Sequence, residues 1–225
     1  MSQHSVIIVA GGSGSRMNQA LPKQFTPLHG KPVLVYTIEA FLTFDLEVQI
    51  VLVLPKAHFE TWKTIQNQFL PNVKLQMVIG GATRYQSVVK GLAHVRSGLV
   101  AIHDAVRPCI SPEIIAASFD EASQFGAGVV AVPLKDSIRE VDGDESKALD
   151  RSKYQVVQTP QTFQVEKIKK AFEAGEQPFF TDDASVYEHV LGAQVRLVTG
   201  DYRNIKITTP EDLEVAALFL ANKKN

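Results

Sequence analysis

A glycine-rich turn directly follows the first apolar run of the chain. Residues 6–10 read VIIVA and lead into GGSGSRM, in which Gly12 and Gly14 precede Arg16. Glycines at the end of a strand let backbone N–H groups approach a phosphate closely. Lys23 follows shortly after, and this pair of cations suits the negative charge that develops on phosphates during transfer. The segment therefore predicts a phosphate site with Arg16 and Lys23 as its cations.

Two common phosphate-binding motifs do not fit this turn. A dinucleotide fingerprint needs a third glycine where this chain has Met17, and no Gly-Lys-Ser/Thr follows as in a Walker motif. Three interpretations remain open at this point. They are an enzyme that acts on a triphosphate, an NAD(P)-dependent oxidoreductase suggested by Gly12-x-Gly14, and a non-catalytic nucleotide sensor that keeps the glycines but has no need of the cations.

A carboxylate emerges at the end of another apolar run. Asp104 follows residues 99–103, LVAIH, and so is expected at the carboxyl edge of a sheet, where ligands bind in open α/β folds. Mg²⁺ commonly takes one or two carboxylates together with substrate phosphates. No convincing Ser/His/Asp or Cys/His constellation is present, and we expect structural roles for His103 and Cys109.

Short apolar runs alternate with helical patterns along the chain. Strands are predicted at 6–10, 48–54, 73–79, 99–103 and 128–132. Helices are predicted at 32–44, at 57–69, around Val88, Leu92 and Val95, from Ser111, and from Thr209 with Leu213, Ala217 and Leu220 facing inward. This alternation predicts βαβ units and an α/β fold with a mostly parallel sheet.

One polar segment breaks the alternation. Residues 135–153 are too polar for a core element, yet 138–142 alternate at strand period and Asp142-Gly143 is a hairpin turn signal. We interpret the segment as a β-arm that returns through Tyr154 to Gln158, with a mobile surface loop as the alternative. Because an exposed two-stranded ribbon is marginally stable alone, an ordered arm is expected to pair with another subunit.

Composition limits the class of protein. The chain has 225 residues and a net charge of −1, which argues against a broad nucleic-acid surface. One cysteine excludes a disulfide framework, and the first apolar run is too short for a signal peptide or membrane span. We expect a cytoplasmic protein that binds neither nucleic acid nor membrane, with one domain over 1–225 and an arm at about 135–157.

Several motifs together resemble one enzyme family. In chain order they are GGSGSRM…PKQF, GGATRYQSV (80–88), HDAVRP (103–108), QTPQTF (158–163), TDDAS (181–185) and NIKITTPEDL (204–213). They resemble the 2-C-methyl-D-erythritol 4-phosphate cytidylyltransferases of the non-mevalonate isoprenoid pathway. The resemblance implies a Rossmann-like twisted sheet flanked by helices and a homodimer that exchanges β-arms. It also implies CTP and a sugar phosphate as substrates, pyrophosphate as a product, and Mg²⁺ as cofactor.

The resemblance also implies roles for individual residues. The catalytic cations are Arg16, Lys23 and Lys206. The nucleotide-binding residues are Ala10, Gly11, Gly12, Gly14, Gly80, Gly81, Ala82, Arg84, Ser87, Asp104, Ala105 and Arg107. Asp104 is also the metal-associated aspartate. The family often has an acid around Ala82 and Thr83, so this chain is expected to use backbone contacts there.

The resemblance assigns the sugar-phosphate acceptor to Ser137, Arg151, Thr159 and Thr181. Arg151 lies on the arm and is expected to reach the partner subunit's site. Asp182 and Asp183 either support the pocket or cap a helix. A pentitol-phosphate cytidylyltransferase, such as a ribitol 5-phosphate enzyme, is the nearest alternative. In all, six cations are expected near one anionic centre: Arg16, Lys23, Arg84, Arg107, Arg151 and Lys206.

Overall fold

A central sheet with helices on both faces organises the chain. The structure is a computed structural model and describes residues 3–11 and 21–221. The strands are β1 (His4–Val9), β2 (Pro27–Leu28), β3 (Lys31–Pro32), β4 (Gln49–Leu54), β5 (Leu75–Ile79), β6 (Leu99–Asp104), β7 (Ala127–Pro133), β8 (Ile138–Asp142), β9 (Glu145–Leu149), β10 (Gln155–Gln164) and β11 (Arg196–Thr199). The α-helices are α1 (Val33–Phe44), α2 (Phe59–Phe69), α3 (Arg84–Leu92), α4 (Pro112–Phe125), α5 (Val165–Phe172), α6 (Asp183–Leu191) and α7 (Pro210–Ala221).

Seven strands form the main sheet, in the order β11-β7-β10-β6-β1-β4-β5. The neighbours of β1 are both parallel to it, and β4–β5 and β7–β11 are parallel pairs, whereas β10 runs antiparallel to β6 and β7. The sheet is therefore mixed and mostly parallel, which confirms the predicted α/β class. Chain order reverses between β1 and β6, and a crevice at such a point is where ligands bind in open α/β sheets.

Alternate residues of the central strands belong to two cores. Val6 and Ile8 of β1 pack with Leu52 on one face, and Ile7 packs with Val53 on the other. All five side chains are fully buried. Because both faces of these strands are covered, their central residues are apolar on both faces, which explains the near-continuous apolar runs in the sequence.

The start signals predicted for α4 and α7 are confirmed. The hydroxyl of Ser111 accepts the N–H of Ile114 at 3.4 Å, and Pro112 occupies the first helical position. At α7, the carboxylate of Asp212 accepts the backbone N–H groups of Thr208 and Thr209 at 2.7 and 2.9 Å. These bonds satisfy N–H groups that would otherwise be left open at the start of each helix.

Several predicted boundaries differ from the structure by one or two residues, as the ends of β5 and α2 show. β5 begins at Leu75 rather than Val73, and it is an edge strand that is half exposed rather than covered on both faces. The second helix begins at Phe59, because residues Lys56–His58 form a short 3-10 turn before it. Both errors fall at element ends, where hydrophobic periodicity carries the least information.

The strand β10 is longer than the sequence pattern predicts. The pattern indicates a return that ends at Gln158, whereas the strand runs on to Gln164 in the middle of the sheet. Its buried side chains include polar ones, such as Thr162, whose hydroxyl lies 2.8 Å from that of Ser118. These polar groups can be buried because they are hydrogen-bonded inside the protein. The strand therefore lacks the pattern of apolar residues by which a buried strand is recognised in a sequence. Neither α5 nor β11 is among the predicted elements.

The polar segment forms a hairpin, as its alternation predicts. Asp142 of β8 pairs with Glu145 of β9 across a turn in which Gly143 has φ 56°. A 3-10 turn over Arg151–Lys153 then leads into β10. Nearly all side chains of the hairpin are exposed, and Val141 is 70% exposed.

Within 3–11 and 21–221, every helix is too short or too polar to cross a bilayer.

Candidate active site

A cavity of about 470 Å³ opens at the carboxyl edge of the sheet, by the crevice between β1 and β6. The predicted site residues that line it are Ala10, Gly11, Lys23, Gly81, Ala82, Arg84, Ser87, Asp104, Ala105 and Lys206. Gly80 adjoins this wall, and Arg107 contacts Asp104 from behind it. Gly12, Gly14 and Arg16 lie outside the described residues.

A wider groove of about 610 Å³ lies near the starts of β4 and β5, at the opposite edge. Its walls include Glu47, Gln49, Gln76, His94 and Arg96, and the residues predicted to bind substrate are elsewhere. We therefore take the cavity between β1 and β6 as the candidate site.

Three cations converge on the carboxylate of Asp104. Lys206 Nζ lies 3.1 Å and Arg107 Nε 3.2 Å from Oδ2, and Arg84 Nε lies 3.7 Å from Oδ1. Asp104 is only 6% exposed. Burial by itself raises the pKa of this carboxyl, but Arg84, Lys206 and Arg107 outweigh burial and hold its pKa well below the usual range. Asp104 is therefore ionised at any working pH.

Lys206 reaches the cluster from the segment between β11 and α7. Its neighbour Ile207 is fully buried and donates its N–H to the carbonyl of Val106 at 2.9 Å, which anchors the backbone. The Lys206 side chain is 43% exposed, more than those of Arg84 and Arg107. It is thus the cation of the three that can most easily turn towards an incoming anion.

Arg84, the first residue of α3, also binds a second carboxylate. Its Nη1 and Nη2 donate to Oδ1 and Oδ2 of Asp183 at 2.8 and 2.7 Å. Burial tends to lower the pKa of Arg84, but Asp183 outweighs it, so the pKa is raised and the guanidinium stays charged. The adjacent Asp182 is the N-cap of α6, with its carboxylate accepting the N–H of Ser185 at 2.8 Å. Of the two roles that the sequence leaves open for these aspartates, Asp182 has the helix cap. Asp183 has the other, because it holds Arg84 in the wall of the cavity.

Arg107 is held by a residue that sequence reasoning did not assign to the site. Its Nη1 donates to the carbonyl of Asn204 at 2.8 Å. The Asn204 amide in turn donates to Gln158 Oε1 at 3.0 Å and to the carbonyl of Thr159 at 2.9 Å. Asn204 therefore joins β10 to the segment that carries Lys206. Its place at the start of NIKIT is the only signal the sequence offers.

Lys23 lies on a short 3-10 turn, Lys23–Phe25, and is 9% exposed. The next residue, Gln24, donates from Nε2 to the carbonyl of Ala10 at 3.0 Å. This bond ties the turn to the end of β1, so Gln24 positions the lysine although it was not among the predicted residues.

The loop before α3 forms another wall of the cavity. The N–H of Gly81 donates to Ser87 Oγ, and that of Ala82 to Gln86 Oε1, both at 3.1 Å. Thr83 is the N-cap of α3 and accepts the N–H of Gln86 at 3.1 Å. A Cβ at Gly81 would lie 2.3 Å from that of Gln86, so only glycine permits this approach. The loop is thus fixed by the first turn of the helix.

His103 lies beneath the cluster and has the structural role that we expected. Its Nδ1 lies 3.1 Å from the hydroxyl of Thr159, which accepts the N–H of Asp104 at 3.1 Å. The carbonyl of Arg107 lies 3.4 Å from Nε2 and can only accept, so the ring proton is on Nε2. Nδ1 is then an acceptor, and Thr159 donates to it. Burial lowers the pKa of His103 to about 3, with Asp104 opposing and Arg107 reinforcing the shift, so the ring is neutral.

The residues predicted for the acceptor fall in three parts of a single chain, and only Ser137 and Arg151 share one of them. Thr159 is buried with its hydroxyl bonded as above, and Thr181 borders a separate 110 Å³ cavity with Arg84. Ser137 and Arg151 belong to the arm segment, and Arg151 donates to the carbonyl of Lys135. Of these four, none is among the residues that line the 470 Å³ cavity.

A second cavity of about 380 Å³ lies at the base of the arm. It is lined by residues that include Arg107, Lys135, Tyr202, Asn204 and Lys206. Lys206 lines both this cavity and the 470 Å³ cavity, so the two open on either side of the same lysine.

Comparison with known proteins decides the family. The family model for 2-C-methyl-D-erythritol 4-phosphate cytidylyltransferase (IspD) matches residues 4–222. The chain belongs to this family. Proteins of that name from Bacteroides thetaiotaomicron and Bacteroides fragilis are 45% and 46% identical to it, covering 97% and 96% of this chain and 100% and 99% of theirs.

Solved structures of the cytidylyltransferase family agree. The 4-diphosphocytidyl-2C-methyl-D-erythritol synthase of Anaerococcus prevotii superposes with a TM-score of 0.84 at 30% identity, covering 98% of this chain and 100% of that one. The Thermus thermophilus 2-C-methyl-D-erythritol 4-phosphate cytidylyltransferase gives a TM-score of 0.75 at 29% identity, covering 97% and 98%. As a cytidylyltransferase, the chain is an enzyme of the nucleotidyltransferase class, and the oxidoreductase and sensor interpretations are wrong.

The residues present fit the divalent metal that a cytidylyltransferase implies. Asp104 is the carboxylate that lines the 470 Å³ cavity, and its two oxygens already face cations. Among the described residues, no cluster of three or more His, Cys, Asp or Glu side chains forms a complete metal cage. One carboxylate suits Mg²⁺, which takes most of its other ligands from water and substrate phosphates.

Proposed function

We propose that the enzyme transfers the cytidylyl group of CTP to 2-C-methyl-D-erythritol 4-phosphate. The products are 4-diphosphocytidyl-2-C-methyl-D-erythritol and pyrophosphate. The observation that carries the proposal is the convergence of Arg84, Arg107 and Lys206 on Asp104 beside a nucleotide-sized cavity. Membership of the family supports the choice of both substrates. We expect residues 1–225 to act as one nucleotidyltransferase domain, in the cytoplasm.

The reaction is an in-line displacement at the α-phosphorus of CTP. An oxygen of the acceptor phosphate forms a new bond to that phosphorus, while the bond from the α-phosphorus to the bridging oxygen breaks and pyrophosphate leaves. The second pKa of a phosphate monoester is about 6, so the attacking oxygen is already largely ionised near neutrality. No general base is needed, which is consistent with a buried and neutral His103.

Positioning and charge neutralisation supply the catalysis. Lys23 and Lys206 line the cavity and would neutralise charge on the attacked and departing phosphates. Arg16 is assigned to the same task from the sequence motif. Lys206 is the best placed to exchange Asp104 for a phosphate oxygen, because its side chain is the most exposed of the cluster.

Asp104 would hold Mg²⁺ together with oxygens of the triphosphate. The ion supplies further neutralisation of phosphate charge when bound. Asp104 itself supplies a carboxylate that remains ionised, since its pKa lies well below the usual range.

The acceptor is assigned to the second cavity, next to Lys206 and at the base of the arm. Ser137, Arg151, Thr159 and Thr181 stay the predicted acceptor residues, with Arg151 supplied by a partner subunit in a homodimer. The exposed Val141 supports pairing of the arm, because an isolated ribbon with apolar side chains in water is marginally stable.

A pyrophosphate-release assay that crosses two acceptors with the four nucleotides tests the proposal. With Mg²⁺ present, CTP and 2-C-methyl-D-erythritol 4-phosphate should give the fastest release, and ribitol 5-phosphate should be much slower. Faster turnover of ribitol 5-phosphate would reverse the choice of acceptor. No release with either acceptor, from protein shown to be folded, would refute the proposal.

A further inference from the structure

The ion pair between Arg84 and Asp183 joins two segments far apart in the chain. The residues are 99 positions apart, and both guanidinium Nη atoms are used in a two-pronged contact with the carboxylate. Asp183 is 1% exposed, so its carboxylate is shielded from water and salt, whereas the Arg84 side chain is 32% exposed. Such planar contacts fix orientation as well as distance.

Asp183 is itself held rigidly from the centre of the sheet. Gln161 of β10 donates to the carboxylate of Asp182 at 2.8 Å and accepts the N–H of Ala184 at 2.9 Å. These two bonds fix the positions of Asp182 and Ala184, the residues on either side of Asp183. The carboxylate therefore has a fixed place relative to β10, the strand that lies beside β6 and Asp104.

Through its contact with Asp183, Arg84 fixes the position of the loop on the nucleotide side of the site. It is the first residue of α3 and directly follows the loop 80–83, which lines the cavity. With both Nη atoms turned to Asp183, its Nε edge faces Asp104 at 3.7 Å. The charge of Arg84 is offset at close range by Asp183, so its main contribution is orientation, unlike that of the more exposed Lys206.

We propose that Asp183 is a positioning residue for CTP, which it serves by locking Arg84 and the adjoining loop 80–83 in place. This rests on the proposed function and goes beyond it, because Asp183 is not among the residues assigned to either substrate. Loss of the lock should weaken the use of CTP and leave the use of the acceptor nearly unchanged.

The test compares Asp183→Asn with a substitution that removes a helix cap elsewhere in the fold. Asp183→Asn keeps the shape of the side chain but breaks the ion pair, and we expect the KM for CTP to rise roughly tenfold or more. The KM for 2-C-methyl-D-erythritol 4-phosphate should change little. Ser111→Ala is the control, because it removes the cap of α4 and leaves Arg84, Asp183 and the Gln161 bonds that hold Asp183 unchanged. It should lower the unfolding temperature while leaving the KM for CTP near that of the wild type.

A second variant separates positioning from general stability. Asp183→Asn leaves Arg84 without its partner, which destabilises the fold by itself. The double variant Arg84→Gln, Asp183→Asn removes that unpaired charge, so it should regain much of the unfolding temperature without regaining CTP affinity. Calorimetric titration with CTP alone measures that affinity without turnover.

Two results would overturn the proposal. One is a folded Asp183→Asn enzyme with the wild-type KM for CTP, and the other is a double variant that binds CTP as tightly as the wild type. Failure of the proposed function is distinguishable, because it would appear as absent pyrophosphate release in the wild-type enzyme.

Discussion

The cluster around Asp104 and the arm are both rich in charge, but they use it differently. In the cluster, the charged groups are largely buried and each faces an opposite charge at a short distance. On the arm, Arg139 lies exposed and donates to the hydroxyl and carbonyl of Ser146. A pair of charges 4 Å apart is worth about 4 kcal/mol at an effective dielectric of 20 but only about 1 kcal/mol in water.

This difference refines what the near-zero net charge means. Of six cations expected near one centre, the structure gathers four: Lys23, Arg84, Arg107 and Lys206. Arg151 lies on the arm, and Arg16 is outside the described residues. The gathered cations are partly offset by Asp104 and Asp183. The site is thus a set of fixed cations with internal counter-charges.

The largest effect is expected from Lys23, in the wall of the cavity. Lys23→Ala should lower kcat about 100-fold or more, in the range found when one transition-state donor is removed. Lys147→Ala, on an exposed strand of the arm, is the matched control and should leave kcat unchanged. Steady-state kinetics with CTP, together with thermal unfolding, checks both. Near-normal turnover of a folded Lys23→Ala enzyme would refute the catalytic assignment.

A smaller loss is expected for Arg151→Ala, and it should be shared between subunits. If Arg151 acts in the partner's site, a mixture of Lys23→Ala and Arg151→Ala proteins forms mixed dimers with one intact site. After subunit exchange, activity should rise towards roughly a quarter of the wild-type value, the share expected for random pairing of closed two-fold dimers. Activity that stays at the level of the two variants would place Arg151 in its own subunit's site, or nowhere near it.

Much of the fold is predictable from the sequence because the central strands are covered on both faces. Continuous apolar runs and the start signals at Ser111 and Pro210 identify strands and helices directly. β10 escapes this reasoning, since Gln158, Gln161 and Thr162 are buried through hydrogen bonds rather than apolar contacts.

The site follows the same division. Lys23 and Asp104 are predictable because one follows a glycine-rich turn and the other ends a buried strand. Lys206 is indicated by the family resemblance and by its place between Ile205 and Ile207.

The supporting residues Gln24 and Asn204 are not predictable, because their partners lie 14 and 97 positions away. For Asp183 the sequence leaves two roles open, because its partner Arg84 lies 99 positions away. Only the folded chain brings those pairs together.

The next effect concerns His103, which lies beneath the cluster, and it is expected in the pH dependence of the free energy of unfolding. The pKa of His103 is about 3 in the folded protein, against about 6.5 for an unperturbed histidine. Below about pH 6.5 the unfolded chain therefore binds one proton more, and stability is lost as pH falls. The slope for one proton is about 1.4 kcal/mol per pH unit.

His103→Gln cannot titrate, so its free energy of unfolding should fall less steeply than that of the wild type between about pH 6 and pH 4.5. Urea unfolding at several pH values measures both slopes. Parallel curves would show that His103 is not held neutral, and the buried cluster would then resemble the arm more closely than we infer.

The smallest effect is expected on the arm itself. Arg139 donates to Ser146 at 2.9 Å in two hydrogen bonds, but both partners are exposed, and water replaces such bonds at little cost. Arg139→Ala should therefore change the free energy of unfolding by less than about 0.5 kcal/mol, as is usual for surface substitutions. Urea unfolding at fixed protein concentration provides the measurement. A much larger loss would mean that Arg139 is buried against a partner subunit, and the contrast between an enclosed cluster and a solvated arm would then hold only for the single chain.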